Sequence, residues 1–350
     1  MSRRREATRI PFLVAARNAA EQTQEVARYR CADYPCDADA AEAAIADLPP
    51  IAGAVTYSEG LHVWDRPVRS RARVTLRGSG RYSTQVWPAL ETAKPLLEIA
   101  GTDKDAGMVR WPCVRDMAFV GGIVPRQANG VLLEYEGLGY FDNVAFVNLK
   151  GYGVQGRTAW NTNFHNCVWV YCGDEETGTA SIYAKSAGDD SSNNWRFVGC
   201  DILGYYWHAV HLKGHEDPLR ATRKVTWQGG VFHGVLTDPR PYAAVLVDGA
   251  GICRFSNVNF TNGGAEHVLA QGRASVSITD CDLDGAGRVS HVPAVRYIDE
   301  ACGIVDGNKF GQFGLPNRYG DLDYSQTTGQ VAVGTNLWTP GHPRPVTPPL

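Results

Sequence analysis

Apolar and turn-forming positions follow one short pattern that returns eight times between residues 114 and 310. An apolar residue is followed two positions later by Asn, Asp or Gly. A mostly compact residue comes next, and a large apolar residue closes the motif two positions after that. The copies occupy 114–119, 141–146, 164–169, 197–202, 227–232, 255–260, 278–283 and 305–310. Their turn position reads Asp116, Asn143, Asn166, Gly199, Gly229, Asn257, Asp280 and Gly307, the types that best tolerate a left-handed backbone. The pattern predicts a strand that bends at this residue. Because the corner resets the two-residue period, the first, fourth and sixth side chains should all face inward. The fourth position holds Met117, Val144, Cys167, Cys200, Gly230, Val258, Cys281 and Asn308.

A second apolar strand recurs between the copies, at 130–133, 153–154, 181–184, 209–212, 244–247, 267–270 and 294–297. Each repeat therefore predicts one rung of three short strands. The closing residues are separated by 27, 23, 33, 30, 28, 23 and 27 positions, and repeats of this length without helical periodicity indicate a parallel β-helix. A β-sandwich also has many short strands, but it does not explain why one corner returns with one internal geometry. The expected fold is all-β: a right-handed parallel β-helix with a short N-terminal capping helix and an N-terminal arm.

Ahead of the repeats, apolar residues at 12, 15, 16, 19, 20 and 26 have rough helical spacing and predict a docking helix. A second helix is predicted from Asp39, where Asp39 and Glu42 form a capping-box pattern and Pro49 and Pro50 end it. It would cover the open apolar end of the stack. The stretches 53–56, 58–63, 67–68 and 74–80 read as the first rungs. After Phe310 the pattern fades, a strand is expected at 331–333, and the last thirteen residues contain five prolines, which favour an extended polyproline segment. The expected layout is an N-terminal arm or attachment segment over 1–36, a β-helix domain with its cap over 37–312, and a Pro-rich extension over 313–350.

Composition adds limits. The 38 glycines suit tight corners, and a net charge of -3 gives no general case for nucleic acid binding. No run of about 18 apolar residues exists, so membrane insertion is not expected. The Arg-rich start resembles an export signal only superficially, since its short apolar run contains Pro11 and is cut by Arg17. Among nine cysteines, Cys31 and Cys36 are candidates for a pair, whereas Cys167, Cys200 and Cys281 read as buried thiols of a reduced chain.

The segments 37–45, 53–55, 58–62 and 74–80 resemble the opening of pectate-lyase-like right-handed β-helix proteins, bacteriophage tail spikes among them. With the rungs, the resemblance spans about residues 31 to 312. It implies the fold strongly, but lyases, hydrolases, epimerases and non-enzymatic adhesins share it. It also implies that saccharides bind along the sheet built by the second recurring strand.

Parity predicts the outward residues of that sheet. Leu132, Gln155, Tyr183, His211, Leu246, Leu269 and Arg296 form one row; Glu134, Arg157, Lys185, Lys213, Asp248 and Gln271 form the next. Tyr183, Lys185, His211 and Lys213 make a cationic, aromatic patch suited to an acidic glycan, the alternative being an ordinary solvated face. Tyr205, Tyr206 and Trp207 extend it as rings on which sugars stack, unless they fill a subunit interface. Hydrolysis of a glycoside needs two carboxylates about 5 to 10 Å apart. Asp189 or Asp190 and Glu216 or Asp217 lie in loops one rung apart and are the candidate catalytic pair. They resemble the acids of polygalacturonases only distantly, because that family's Asn-Thr-Asp and Arg-Ile-Lys elements are missing. Strand parity sends His208 and His211 to opposite sides and puts His215 in a turn, so no metal site is expected. No phosphate loop, nucleophile elbow or dinucleotide fingerprint is present, so no cofactor is expected either.

These readings lead to a tail-spike-like or tail-tip protein that binds, and in one version depolymerises, host cell-surface polysaccharide. It would be a homotrimer, join other tail subunits through residues 1–36, and be assembled in the host cytoplasm. The alternatives are a polysaccharide lyase or glycoside hydrolase, secreted in that case, and a structural particle subunit without catalytic activity.

Overall fold

The computed structural model describes residues 10–89, 94–123, 126–185, 192–214, 222, 224–235, 240–249, 251–312 and 316–342. Each turn of the chain lays down three short strands. One turn holds Asn163–His165, Val168–Cys172 and Ile182–Lys185, and the next holds Arg196–Val198, Asp201–Tyr205 and Val210–Lys213. Equivalent strands pair in parallel from turn to turn. The first two strands of the turns build a bent sheet of 21 strands, and the third builds a sheet of 11. The molecule is an all-β parallel solenoid of about nine turns.

All eight predicted corner residues adopt the left-handed conformation, from Asn166 at φ 48° to Gly307 at φ 69°. Behind the bend the first and sixth positions stack as aromatic columns. Phe141, Phe164, Phe197 and Trp227 lie ring on ring with centroids 4.9, 4.7 and 4.2 Å apart, and Phe119, Phe146 and Trp169 form a second column. Each ring removed from water contributes about 1.5–3 kcal/mol, and each stacked pair about 0.5–1.5 kcal/mol more. At the fourth position Cys167, Cys200 and Cys281 are buried free thiols. Their S–H groups donate to the Phe141, Phe164 and Thr279 carbonyls respectively. Asn308 is tolerated there because its amide bonds the Ile278 carbonyl and the Cys281 N–H.

A second left-handed column went unread. Trp111, Leu138, Asn161, Asn194 and Lys224 have φ between 54° and 64°. Each stands two residues before the strand residues Cys113, Tyr140, Asn163, Arg196 and Thr226, which are in register. Asn161 and Asn194 are of a tolerant type, but at Trp111, Leu138 and Lys224 the conformation costs about 1–2 kcal/mol, so tertiary packing holds it there and the residue type gives no sign of it.

Both ends differ from expectation. Ile10–Ala15 is a strand, not part of a helix, and pairs in parallel with Ala27–Arg30 and with Thr56 and Tyr57; only Glu21–Val26 is helical. Strand stacking thus begins inside the segment read as an arm. Its burial rises from exposed Ile10 to buried Val14 and Ala15, and over so short a run the apolar residues do not separate strand from helical spacing. The capping helix, Asp37–Ala46, begins two residues earlier than expected, with Cys36 as its cap. Asp37 is nearly buried, receives Arg17 Nε at 2.8 Å, and accepts the Val63 N–H at 2.8 Å. Cys31 and Cys36 are not paired: Cys31 donates to His62 Nδ1, and Cys36 lies 2.7 Å from Asp65. Ala38, Ala40, Ala41, Ala44 and Ile45 close the N-terminal end of the core.

The solenoid also runs past residue 312. Leu322–Thr327 adds a strand beside Val295–Asp299, and Val331–Val333 pairs with Cys302–Asp306. The motif fades there because its last copy, running from Val333 to Trp338, has Thr335 at the turn position where the other copies have Asn, Asp or Gly. Its closing ring, Trp338, keeps its place and stacks on Phe310 at 5.1 Å.

Candidate functional site

The outward rows of the eleven-strand sheet have the predicted register. Leu132, Gln155, Tyr183, His211, Leu246, Leu269 and Arg296 are consecutive partners, as are Glu134, Arg157, Lys185, Lys213, Asp248 and Gln271. Arg157, Lys185 and Lys213 therefore set three cations on adjacent turns, about 4.8 Å apart along the stack. Arg157 reaches Glu134 only at 4.0 Å, and Asp248 at the other end accepts from Gln271 at 3.1 Å.

The face is not an ordinary solvated one. Tyr152 stacks on Tyr183 at 5.1 Å, Tyr183 meets His211 edge-on at 5.1 Å, and Trp207 covers His211 at 5.4 Å. His211 is 8% exposed, and among the described residues neither ring nitrogen has a hydrogen-bond partner. Burial, reinforced by neighbouring His208, lowers its pKa to about 4; its imidazole is neutral at physiological pH. Burial also pushes the Tyr183 phenol up to about 12, so it stays protonated.

Trp207 links this row to the loops at the sheet's entrance. Its ring lies 6.5 Å from Tyr242, whose hydroxyl donates to Glu175 at 2.6 Å. Arg240 reaches the same carboxylate at 3.4 Å and lies 6.0 Å from the Tyr206 ring. Lys150, Asp174, Glu175, Glu176, Tyr206 and Arg240 line a pocket of about 350 Å³. Asp174 is nearly buried and accepts from the Thr177 N–H and hydroxyl, which fixes the turn carrying the two exposed glutamates.

The structure brings together Tyr183, Lys185, Tyr206, Trp207, His211 and Lys213, and removes Tyr205. Gly204 has φ 75°. That left-handed step reverses the alternation and turns Tyr205 into the core, where it is 3% exposed. His208 and His211 do not face opposite sides: their rings are 5.8 Å apart, because His208 precedes the strand Val210–Lys213 and escapes its parity. His208 instead bonds the Ala243 carbonyl at 2.7 Å. Asp189, Asp190, Glu216 and Asp217 lie outside the described residues, as does His215. Among the described residues, no group of three His, Cys, Asp or Glu could hold a metal ion. Sequence reasoning missed Tyr152, Glu175, Arg240 and Tyr242. Extending the register back from the strands would have found Tyr242, which falls opposite Trp207.

Strand order and corner geometry define a parallel β-helix protein whose candidate site is the outer face of one stacked sheet. No protein-family model and no curated protein matches the chain. Solved structures do. The A-module of a mannuronan C-5 epimerase from Azotobacter vinelandii superposes with a TM-score of 0.63 at 14% identity, covering 87% of this chain and 92% of that one. ORF18 of Geobacillus virus E2 gives 0.54 at 15% identity over 85% of this chain, which spans 56% of ORF18. Tailspike protein 3 of bacteriophage CBA120 gives 0.50 at 13% identity, covering 90% of this chain and 60% of that one. At these identities the likeness establishes the fold.

Proposed function

We propose that this protein is a tail-spike-like or tail-tip component of a virion that binds an acidic cell-surface polysaccharide along the eleven-strand sheet. One observation carries the reading: Arg157, Lys185 and Lys213 run parallel to the ring row of Tyr152, Tyr183, His211 and Trp207. Sugar faces stack on the rings while carboxylates meet the cations. The viral origin of two structural neighbours, one of them a tailspike, supports the virion setting. Attachment through residues 1–36 and a homotrimeric state belong to the same proposal. Trp207→Ala should weaken binding to a responsive polysaccharide at least tenfold with the circular dichroism spectrum unchanged; undiminished binding would remove the face from consideration.

A second reading is favoured by the unpartnered imidazole beside a protonated phenol. In a bound uronate, neutral His211 would take the proton at C5, the electron pair would form the C4–C5 double bond, and the C4–O bond would break. Tyr183 would protonate the departing oxygen. Incubation with a panel of bacterial surface polysaccharides separates the outcomes. Shorter chains with new unsaturated-uronate absorbance establish elimination, and shorter chains without it establish hydrolysis. In the hydrolytic case, unchanged activity of Asp190→Ala and Glu216→Ala would reject the loop carboxylates.

A further inference from the structure

A second surface, on the bent sheet, has the composition of an anion site. The outward row Asn163, Arg196, Thr226, Arg254 and Ser277 is in continuous register. It forms the floor of a groove of about 860 Å³ that crosses six turns and ends at exposed Ile304. Gln228, Ser256 and Thr279 provide a parallel row of amide and hydroxyl groups, and among the described residues no acidic side chain lines the groove. Arg196 and Arg254 are exposed and, among the described residues, make no ion pair or side-chain hydrogen bond. Elsewhere Arg66, Arg115, Arg273 and Arg296 sit on carboxylates, and Arg73 and Arg318 lie over the Trp111 and Tyr319 rings. On a chain of net charge -3, two uncompensated guanidiniums in an acid-free groove form a local positive field.

We infer that this groove binds a linear acidic polysaccharide lying along the solenoid axis, at a site separate from the face proposed above. Arg196 and Arg254 are two turns apart, roughly 9.6 Å at about 4.8 Å per turn. They therefore address carboxylates presented on one edge of the polymer at every second sugar. Each guanidinium can take a carboxylate through paired N–H donors. Thr226, between them, and the row of Gln228, Ser256 and Thr279 meet sugar hydroxyls. A single-stranded nucleic acid fits less well, because it requires aromatic side chains for its bases, and Phe197, Trp227 and Phe255 of this sheet all point inward.

The test uses the full chain carrying Trp207→Ala, which isolates the groove from the other face, and titrates it calorimetrically with hexagalacturonate and its methyl ester. The acid should bind with an affinity that falls as salt rises, and the ester should not bind. Adding Arg196→Gln and Arg254→Gln should weaken the acid at least tenfold, and Arg→Lys at both positions should weaken it less. Absence of hexagalacturonate binding to the Trp207→Ala protein would overturn the inference, as would an unchanged Kd after both arginine substitutions. Loss of binding on Trp207→Ala alone would assign the polymer to the other face.

Discussion

Glu136 offers a sharp test of how this solenoid handles charge. It closes the strand Asn129–Gly137 and is fully buried. The left-handed Tyr135, φ 46°, turns it inward after outward-facing Glu134. One carboxyl oxygen accepts from the Thr162 hydroxyl at 2.7 Å; the other has no well-formed hydrogen bond among the described residues, with only the Gly139 amide nearby. Burial raises its pKa from 4.5 to about 8, against smaller opposing effects of Thr162 and the Gly139 amide. Because the folded chain holds this proton more tightly than the unfolded one, the associated stability is fully present below about pH 4.5. It is lost as pH rises through about 8. At about 1.4 kcal/mol per unit the loss amounts to roughly 4–5 kcal/mol. Glu136→Gln removes the titration. Urea unfolding of both proteins between pH 4 and pH 9 should give similar stabilities at the acid end and a growing advantage for the variant, levelling off above pH 8. Parallel pH curves, or a variant less stable at pH 9, would refute the reasoning.

Acid should destabilise by a different route. His62, His208, His211 and His267 are held neutral by burial, each with its pKa lowered to about 4. Their contribution is present above pH 6.5 and lost as pH falls through about 4. Melting temperatures measured from pH 7 to pH 4 should show that fall, and His211→Phe should reduce it; a flat profile would contradict the assignment. At the corners, Gly230→Ala should cost about 2–4 kcal/mol in urea unfolding, because φ is 93° and the added methyl would stand 2.0 Å from the Cys200 carbonyl oxygen. Asn166→Ala, at φ 48°, should cost about 1 kcal/mol, and a change under a few tenths would show that the corner needs no special residue.

Much of the fold was legible because the motif couples two independent signals, a left-handed residue type and an inward apolar triplet, and repeats them. Asp116 and Asn257 advertise their conformation; Trp111 and Lys224 adopt the same one without any chemical sign of it. The last copy of the motif was missed where the signals separate: Trp338 closes it in register, but Thr335 stands at its turn position. At the site, strand parity correctly placed Tyr183, Lys185, His211 and Lys213, but it failed at Tyr205 and His208. Both lie next to a strand end or a left-handed step, where parity no longer applies. Glu175 and Arg240 come from entrance loops, and only the tertiary fold brings them to Trp207.

The segment carrying Trp338 has a consequence for the finite length of the molecule. A stack of parallel strands has no intrinsic last member: Val331–Val333 and Leu322–Thr327 present amides and carbonyls to the next layer just as every earlier strand did. At the far end, the helix Asp37–Ala46 and the Ile10–Ala15 strand meet the same geometric invitation. Leu337, bridged in parallel to Lys309, and Thr339, tied to Asp321, continue that last rung in the register of the one before. An edge of this kind is a template on which a second molecule can continue the register, and such pairing would convert a discrete particle into the seed of a head-to-tail filament.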